Sequence, residues 1–186
     1  MKKNNCIFLD RDGTLSQALI KNKSDILKLR PPYHKKELKI FKDICALNSF
    51  KKKYIFIVIS NQPDIKSGLQ SISFHNYINS QIKKKLMIKD FFFCTCHPDI
   101  EKNCKCYKPS PIMVHKAIKR YNISLQNSYF IGDTWRDIKL ANKINMKSIL
   151  IDRGFKKNLM QELCFYKSKP NFVIRNFYQL KNIIDY

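Results

Sequence analysis

Apolar residues fall along this chain in short blocks between lysine-rich polar stretches, and the blocks follow two periods. Residues 6–9, 54–59, 91–93, 129–131 and 148–151 are nearly unbroken apolar runs rich in β-branched and aromatic side chains, which predicts buried strands. Residues 37–50 carry Leu38, Phe41, Ile44, Cys45 and Leu47 at helical spacing. Residues 71–85 do the same with Phe74, Tyr77, Ile78 and Ile82, and Ser71 or Ser73 stands where a cap is needed. Residues 112–121, with Ile112, Val114 and Ile118 near one face, and residues 138–144 read as further helices. Residues 172–174 predict an edge strand and 177–184 a closing helix, whereas 15–36 has no clear period and predicts a loop or lid. Strands alternating with helices predict an α/β fold: a three-layer sandwich around a parallel Rossmann-like sheet, in one domain over 1–186.

The polar residues that interrupt this pattern gather at strand ends, where open α/β sheets bind ligands. The first run stops at Asp10-Arg11-Asp12-Gly13-Thr14. Two carboxylates this close repel unless a cation or a proton lies between them, and Mg²⁺ takes oxygen ligands and works with phosphates. One Asp could then attack phosphorus while the other moves protons, whereas an Asp-x-Asp pair by itself is often a solvated loop. The second long run ends in Ser60-Asn61-Gln62, a hydroxyl and backbone amides suited to a phosphate oxygen, or a plain strand-ending turn. Cys94, Cys96, Cys104 and Cys106 form two Cys-x-Cys pairs seven residues apart, the usual delivery of a tetrahedral zinc site; redox-active or unligated thiols are the alternative. Lys108 follows that loop at once, placed to neutralise phosphoryl oxygens. The run at 129–131 ends in Gly132-Asp133-Thr134-Trp135-Arg136-Asp137, in which Asp137 is either a supporting carboxylate or an acid in a first helical turn.

In this order the runs resemble the four signatures of the haloacid dehalogenase-like (HAD) phosphohydrolases, over about residues 5–155. The resemblance implies Mg²⁺-dependent hydrolysis of a phosphate monoester through an aspartyl-phosphate. Asp10 attacks, Asp12 protonates the leaving alcohol and then activates water, and Ser60 and Lys108 hold the phosphoryl group. Asp10, Asp133 and the Asp12 backbone carbonyl hold the Mg²⁺. The stretch from Asn61 to Gly68 and the cysteine loop, about 94–106, are similar to the histidinol- and heptose-phosphate branch, most of all the D-glycero-D-manno-heptose 1,7-bisphosphate 7-phosphatases. That branch implies substrate contacts at Asn61, Gln62 and Tyr107, and a structural Zn²⁺ on Cys94, Cys96, Cys104 and Cys106. The branch has His where this chain has Cys96, one position before His97, so His97 is the alternative ligand. Tyr107 stands in place of the usual Arg and Thr134 in place of a frequent Lys, two departures near the substrate.

Composition trims this picture. The 186 residues hold 36 Lys and Arg against 14 Asp and Glu, a net charge of +22. The basic residues are spread along the whole chain, mostly Lys, with abundant Asn and Ile, an imprint of AT-rich coding more than of a nucleic-acid groove. The field still favours anionic substrates, and the resemblance implies that the partner is a small sugar phosphate. No apolar stretch reaches spanning length and no leader precedes the first strand, so a cytoplasmic monomer with no membrane or nucleic-acid partner is expected. Cys6, Cys45 and Cys164 sit among apolar neighbours and read as core thiols. Three alternatives stand beside the heptose reading: a histidinol-phosphate phosphatase, a polynucleotide 3′-phosphatase, and a catalytically silent zinc-bearing interaction module. The intact set of Asp10, Asp12, Lys108 and Asp133 speaks against the last.

Overall fold

The first apolar run becomes the central strand of the sheet. The structure is a computed structural model and describes residues 3–20, 29–97 and 99–184. In chain order the strands are β1 (Asn5–Leu9), the short β2 (Leu19–Ile20) and β3 (Leu29–Arg30), β4 (Tyr54–Asn61), β5 (Ile88–Cys94), β6 (Tyr129–Gly132), β7 (Lys147–Ile151) and β8 (Phe172–Ile174). The helices are α1 (Pro63–Lys66), α2 (Ile72–Lys85), α3 (Ile112–Tyr121), α4 (Trp135–Lys143) and α5 (Leu159–Phe165). Six strands pair in parallel in the order β5-β4-β1-β6-β7-β8, and β2 and β3 form a separate antiparallel pair. From β1 the chain builds outward through β4 to β5, then crosses back to lay β6, β7 and β8 on the other side. That reversal sets the carboxyl ends of β4, β1 and β6 side by side, where such sheets bind ligands.

Alternation along the strands accounts for the layers. Ile7 and Leu9 point into one core with Val58, Ile78, Ile82 and Phe177, whereas Cys6 and Phe8 point into the other with Ile59, Val114, Ala117 and Phe130. α2 therefore lies over one face, and α3 and α4 over the other. All of these side chains are fully buried, so truncating one of the Ile, Leu or Phe residues to Ala costs ~2–5 kcal/mol. Ser71 caps α2, its hydroxyl accepting from the Phe74 N–H at 3.1 Å.

Some sequence expectations need correction. Lys42–Phe50 and Phe177–Asn182 are 3₁₀ turns where α-helices were predicted. Apolar spacing reports which residues turn inward, and both pitches turn Ile44 with Leu47, and Phe177 with Leu180, to the core. Asp43 ties the two segments, accepting from the Phe177 N–H and from Arg153, each at 2.8 Å. Cys45 and Cys164 are exposed, because Ile44 and Leu163 beside them take the inward positions; only Cys6 of the three is buried. The loop predicted over 15–36 carries β2 and β3, and its residues 21–28 lie outside the described residues. The apolar pattern does not predict α5, since only Leu159 and Leu163 mark its buried side. Among the described residues no helix is long and apolar enough to cross a membrane.

Candidate active site

β1 stops at Leu9, but the Asp10 N–H still donates to the Ile131 carbonyl at 2.9 Å, which fixes the first residue past the strand. Asp10 lies at the floor of a cavity of about 690 Å³ whose walls include Asp12, Ser60, Asn61, Tyr107, Lys108 and Asp133. Lys108 Nζ sits 2.5 Å from Asp10 Oδ1 and 2.7 Å from Asp137 Oδ1, and donates to the Ile59 carbonyl at 2.9 Å. Asn61 grips the lysine's main chain from both sides: its Oδ1 accepts the Lys108 N–H at 2.9 Å and its Nδ2 donates to the Lys108 carbonyl at 3.3 Å. Asp137 Oδ2 meanwhile accepts from the Thr134 N–H and hydroxyl, at 3.1 and 2.6 Å. One carboxylate thus closes the first turn of α4 and orients the buried lysine.

Two glycines allow close approaches at the strand ends, Gly13 in the turn after β1 and Gly132 at the end of β6. Gly13 has φ of +97°, and a Cβ there would collide with the Asp133 carboxylate. A Cβ on Gly132 would strike the Asp137 side chain. Asp10, Asp133 and Asp137 therefore crowd together, with one carboxylate oxygen of each within 4.8 Å of the others. Lys156 approaches Asp133 Oδ2 to 3.2 Å, and the Thr14 hydroxyl donates to Asp133 Oδ1 at 3.4 Å.

Charge follows from this crowding. Burial pushes the Asp10 carboxyl well above the ordinary carboxylate range; Lys108 pulls it down, while Asp137 and Asp133 add to the rise. Asp133 is raised too, first by burial, with Lys156 opposing and Asp137 adding. Burial acts to lower Lys108, but Asp10 and Asp137 outweigh it and hold the ammonium above its usual value. A divalent cation beside Asp10 and Asp133 would remove the repulsion and keep both ionised, so this donor set fits Mg²⁺.

Asp12 has a different setting. Its Oδ2 accepts from Arg11 Nε at 3.0 Å, Arg11 NH2 at 2.8 Å and Gln62 Nε2 at 2.7 Å, and its Oδ1 accepts from the Ser16 hydroxyl at 3.0 Å. Burial works to raise Asp12, and the Arg11 guanidinium with these donors overcomes it and holds the carboxyl below its ordinary value. Arg11 is fully buried and uses all five N–H donors, the rest reaching Gln62 Oε1 at 2.6 Å, His75 Nδ1 at 2.8 Å and Asn79 Oδ1 at 3.2 Å. Burial, then the facing guanidinium, lowers His75 to about 4, so its imidazole is neutral and Nδ1 accepts.

Gln62, expected among the substrate contacts, lies fully buried behind the cavity. Its amide bridges Ser60 Oγ at 2.6 Å, Asp12 and Arg11. Arg11, His75, Asn79 and Lys156 carried no sequence signal: Arg11 reads as the spacer of the Asp pair, and Lys156 as one Lys among thirty.

The four loop cysteines come from the end of β5 and the approach to Lys108. Their sulfurs all lie within 4.8 Å of one another, with Cys94 and Cys104 at 3.6 Å, Cys96 and Cys106 at 3.6 Å, and Cys104 and Cys106 at 3.7 Å. Cys94 with Cys106, and Cys96 with Cys104, are in direct disulfide contact. Zinc–sulfur bonds of about 2.3 Å put tetrahedral sulfurs ~3.8 Å apart, which three of the six separations match. His97 stands outside the sulfur cluster; its Nδ1 accepts the Asp99 N–H at 3.3 Å and its side chain lines the cavity.

The sheet order, with its acidic strand ends, defines a hydrolase of the HAD-like class, and a family model described as HAD-hydrolase-like matches residues 105–180. The chain is 33% identical over 161 residues to D-glycero-alpha-D-manno-heptose-1,7-bisphosphate 7-phosphatase of Photorhabdus laumondii, covering 79% of this chain and 82% of that protein. It is 30% identical over 154 residues to the histidine biosynthesis bifunctional protein HisB of Buchnera aphidicola, covering 79% of this chain but 41% of that protein. The fold is similar to that of D,D-heptose 1,7-bisphosphate phosphatase from B. bronchiseptica, solved with magnesium and phosphate, with a TM-score of 0.75 at 20% identity over 96% of each chain. The chain belongs to the heptose-1,7-bisphosphate 7-phosphatase family of HAD-like hydrolases.

Proposed function

We propose that this enzyme removes the 7-phosphate of D-glycero-D-manno-heptose 1,7-bisphosphate. The observation that carries the chemistry is Asp10, held through one oxygen by Lys108 on the floor of an open cavity. The Asp10 carboxylate attacks phosphorus, the ester P–O bond breaks, and its electron pair leaves on the alcohol oxygen, which takes a proton from Asp12; the free enzyme holds that carboxyl ionised against Arg11, so it acts as an acid only after taking up a proton when the phosphate ester binds. Asp12, now ionised, takes a proton from water; the hydroxide attacks the same phosphorus, and the acyl-phosphate bond breaks to return Asp10. Lys108 and Ser60 stabilise the charge on the phosphoryl oxygens. Asn61 and Gln62 act at one remove, Asn61 by fixing Lys108 and Gln62 by orienting Ser60 and Asp12. Asp10, Asp133 and the Asp12 carbonyl hold Mg²⁺, which when bound supplies positive charge to the phosphate; Asp137 supports Lys108 from behind. Metal, nucleophile and charge clamp together lower a barrier by ~20 kcal/mol or more.

The convergence of four thiols next to Lys108 supports a structural Zn²⁺ on Cys94, Cys96, Cys104 and Cys106, with no open position for substrate. The same sulfurs joined as two disulfides are the oxidised form of this cluster, and metal content together with free-thiol titration separates the two.

Histidinol phosphate is the second substrate reading, favoured by the match to HisB. Phosphate release with Mg²⁺ should be compared on heptose 1,7-bisphosphate, histidinol phosphate and a 3′-phosphorylated oligonucleotide. Preference for the heptose by tenfold or more is expected. Preference for histidinol phosphate moves the enzyme to the second reading, and preference for the oligonucleotide means that the +22 charge marks the substrate after all.

A further inference from the structure

Beyond the carboxylates the cavity meets a wall made by the start of α4 and by α5. Trp135 is its centre. The ring rests on the cluster of Ile138, Leu150, Leu159 and Leu163, and Tyr166 stacks on it with centroids 3.6 Å apart and planes 11° apart. The guanidinium carbon of Arg136 lies 4.6 Å from the same ring and 6.0 Å from that of Tyr107.

Arg136 differs from most arginines of the chain. Arg11, Arg30, Arg120 and Arg153 are each paired with a carboxylate, Asp12, Glu37, Asp90 and Asp43. Among the described residues Arg136 makes no ion pair and no side-chain hydrogen bond, although it faces the cavity and Glu162 lines the same wall. A guanidinium held by ring contacts is steadied through its flat face, and its edge N–H donors stay in plane for a bidentate oxyanion. Only two residues separate it from Asp133, three steps or at most about 10 Å of extended chain, so both ends of one sugar fall within reach.

We propose that Arg136, steadied by Trp135, is the subsite for a second anionic group carried on the leaving alcohol, and that it makes the enzyme prefer sugar bisphosphates to the matching monophosphates. This deepens the phosphatase reading given above and rests on it. A forked, charge-assisted contact of this kind corresponds to roughly a 10- to 100-fold effect on kcat/KM.

The test is the ratio of kcat/KM for bisphosphate to monophosphate, on heptose 1,7-bisphosphate against heptose 7-phosphate and on fructose 1,6-bisphosphate against fructose 6-phosphate. Wild-type enzyme should show a ratio of at least about 10 on the better sugar. Arg136→Gln should lower that ratio about 10- to 100-fold, chiefly through KM, and Arg136→Lys, which keeps the charge without the fork, should restore part of it. An unchanged ratio in Arg136→Gln, or a wild-type ratio near 1, overturns the subsite. Turnover of the fructose pair but of neither heptose ester counts against the heptose assignment alone, and the fructose ratio still decides Arg136. No turnover of any of the four overturns both.

Discussion

The most exacting consequence of this architecture concerns Arg11, a side chain that touches no substrate. Replacing it with Met keeps the length and removes five donors at once. Asp12 Oδ2 loses two contacts, and Gln62 Oε1, His75 Nδ1 and Asn79 Oδ1 lose one each, in a region closed to water except at the half-buried Asn79 and at the edge of Asp12, whose side chain keeps 13% exposure. Breaking a buried ion pair costs about 3–5 kcal/mol, and each stranded neutral acceptor about 1 more before relaxation. We expect a net loss of ~4 kcal/mol, a large part of the ~5–15 kcal/mol typical of a domain. Urea unfolding of wild type, Arg11→Met, Asp12→Asn and the double variant measures both the loss and the pairwise coupling, expected at ~2 kcal/mol or more. Asp12 is also held below its ordinary value, so its share of stability is present above the unfolded carboxylate value near 3.9 and is lost as pH falls further. A loss under about 1 kcal/mol with an unchanged m-value, or coupling under ~0.5 kcal/mol, would refute the idea that Arg11 anchors the acid–base residue.

Asp10→Asn should abolish turnover while leaving the unfolding curve intact; substantial residual phosphate release would sink the aspartyl-phosphate route. Asp133→Asn should lose Mg²⁺-dependent activity yet raise the Tm of metal-free protein by a few degrees, ~2–4 °C per kcal/mol, because the raised carboxyl opposes folding once pH passes its unfolded value. A lower Tm in calorimetry would contradict that sign. His75 is neutral in the folded chain down to about pH 4, so unfolding between pH 6.5 and 4 should take up about one extra proton; His75→Phe should remove that pH dependence, read from urea midpoints across the window. Cys96→Ser should reduce bound zinc and His97→Ala should not, measured by mass spectrometry of the metal; the reverse result makes His97 the ligand.

How much was legible depended on whether a signal was local. β1, β4, β6 and β7 are short apolar runs buried on both faces, and the polar residues at their ends stand in the sequence where the structure has them. The cysteines were legible because four within thirteen residues is a composition no core requires. The 3₁₀ pitch of Lys42–Phe50 was not, since its apolar spacing suits either helix. The inward turn of Gln62 was not legible for a similar reason: adjacent residues at a strand end point opposite ways, so Asn61 reaches the cavity and Gln62 the interior. Arg11 and His75 meet across 64 positions, and Lys156 meets Asp133 across 23; such partnerships exist only once the sheet is assembled.

The grip of Asn61 on both sides of the Lys108 main chain joins two parts of the molecule that chemistry would treat separately. The cysteine loop ends two residues before that lysine, so whatever orders the sulfurs also narrows the positions open to the ammonium. With the proposed zinc on those sulfurs, thermodynamic reciprocity would make phosphate and zinc each other's effectors: a factor gained in phosphate affinity when zinc is bound would reappear as the same factor in zinc retention when phosphate is bound. Inorganic phosphate should accordingly slow the loss of zinc to a chelator, which makes a loop with no open coordination site a reporter on the active site next to it.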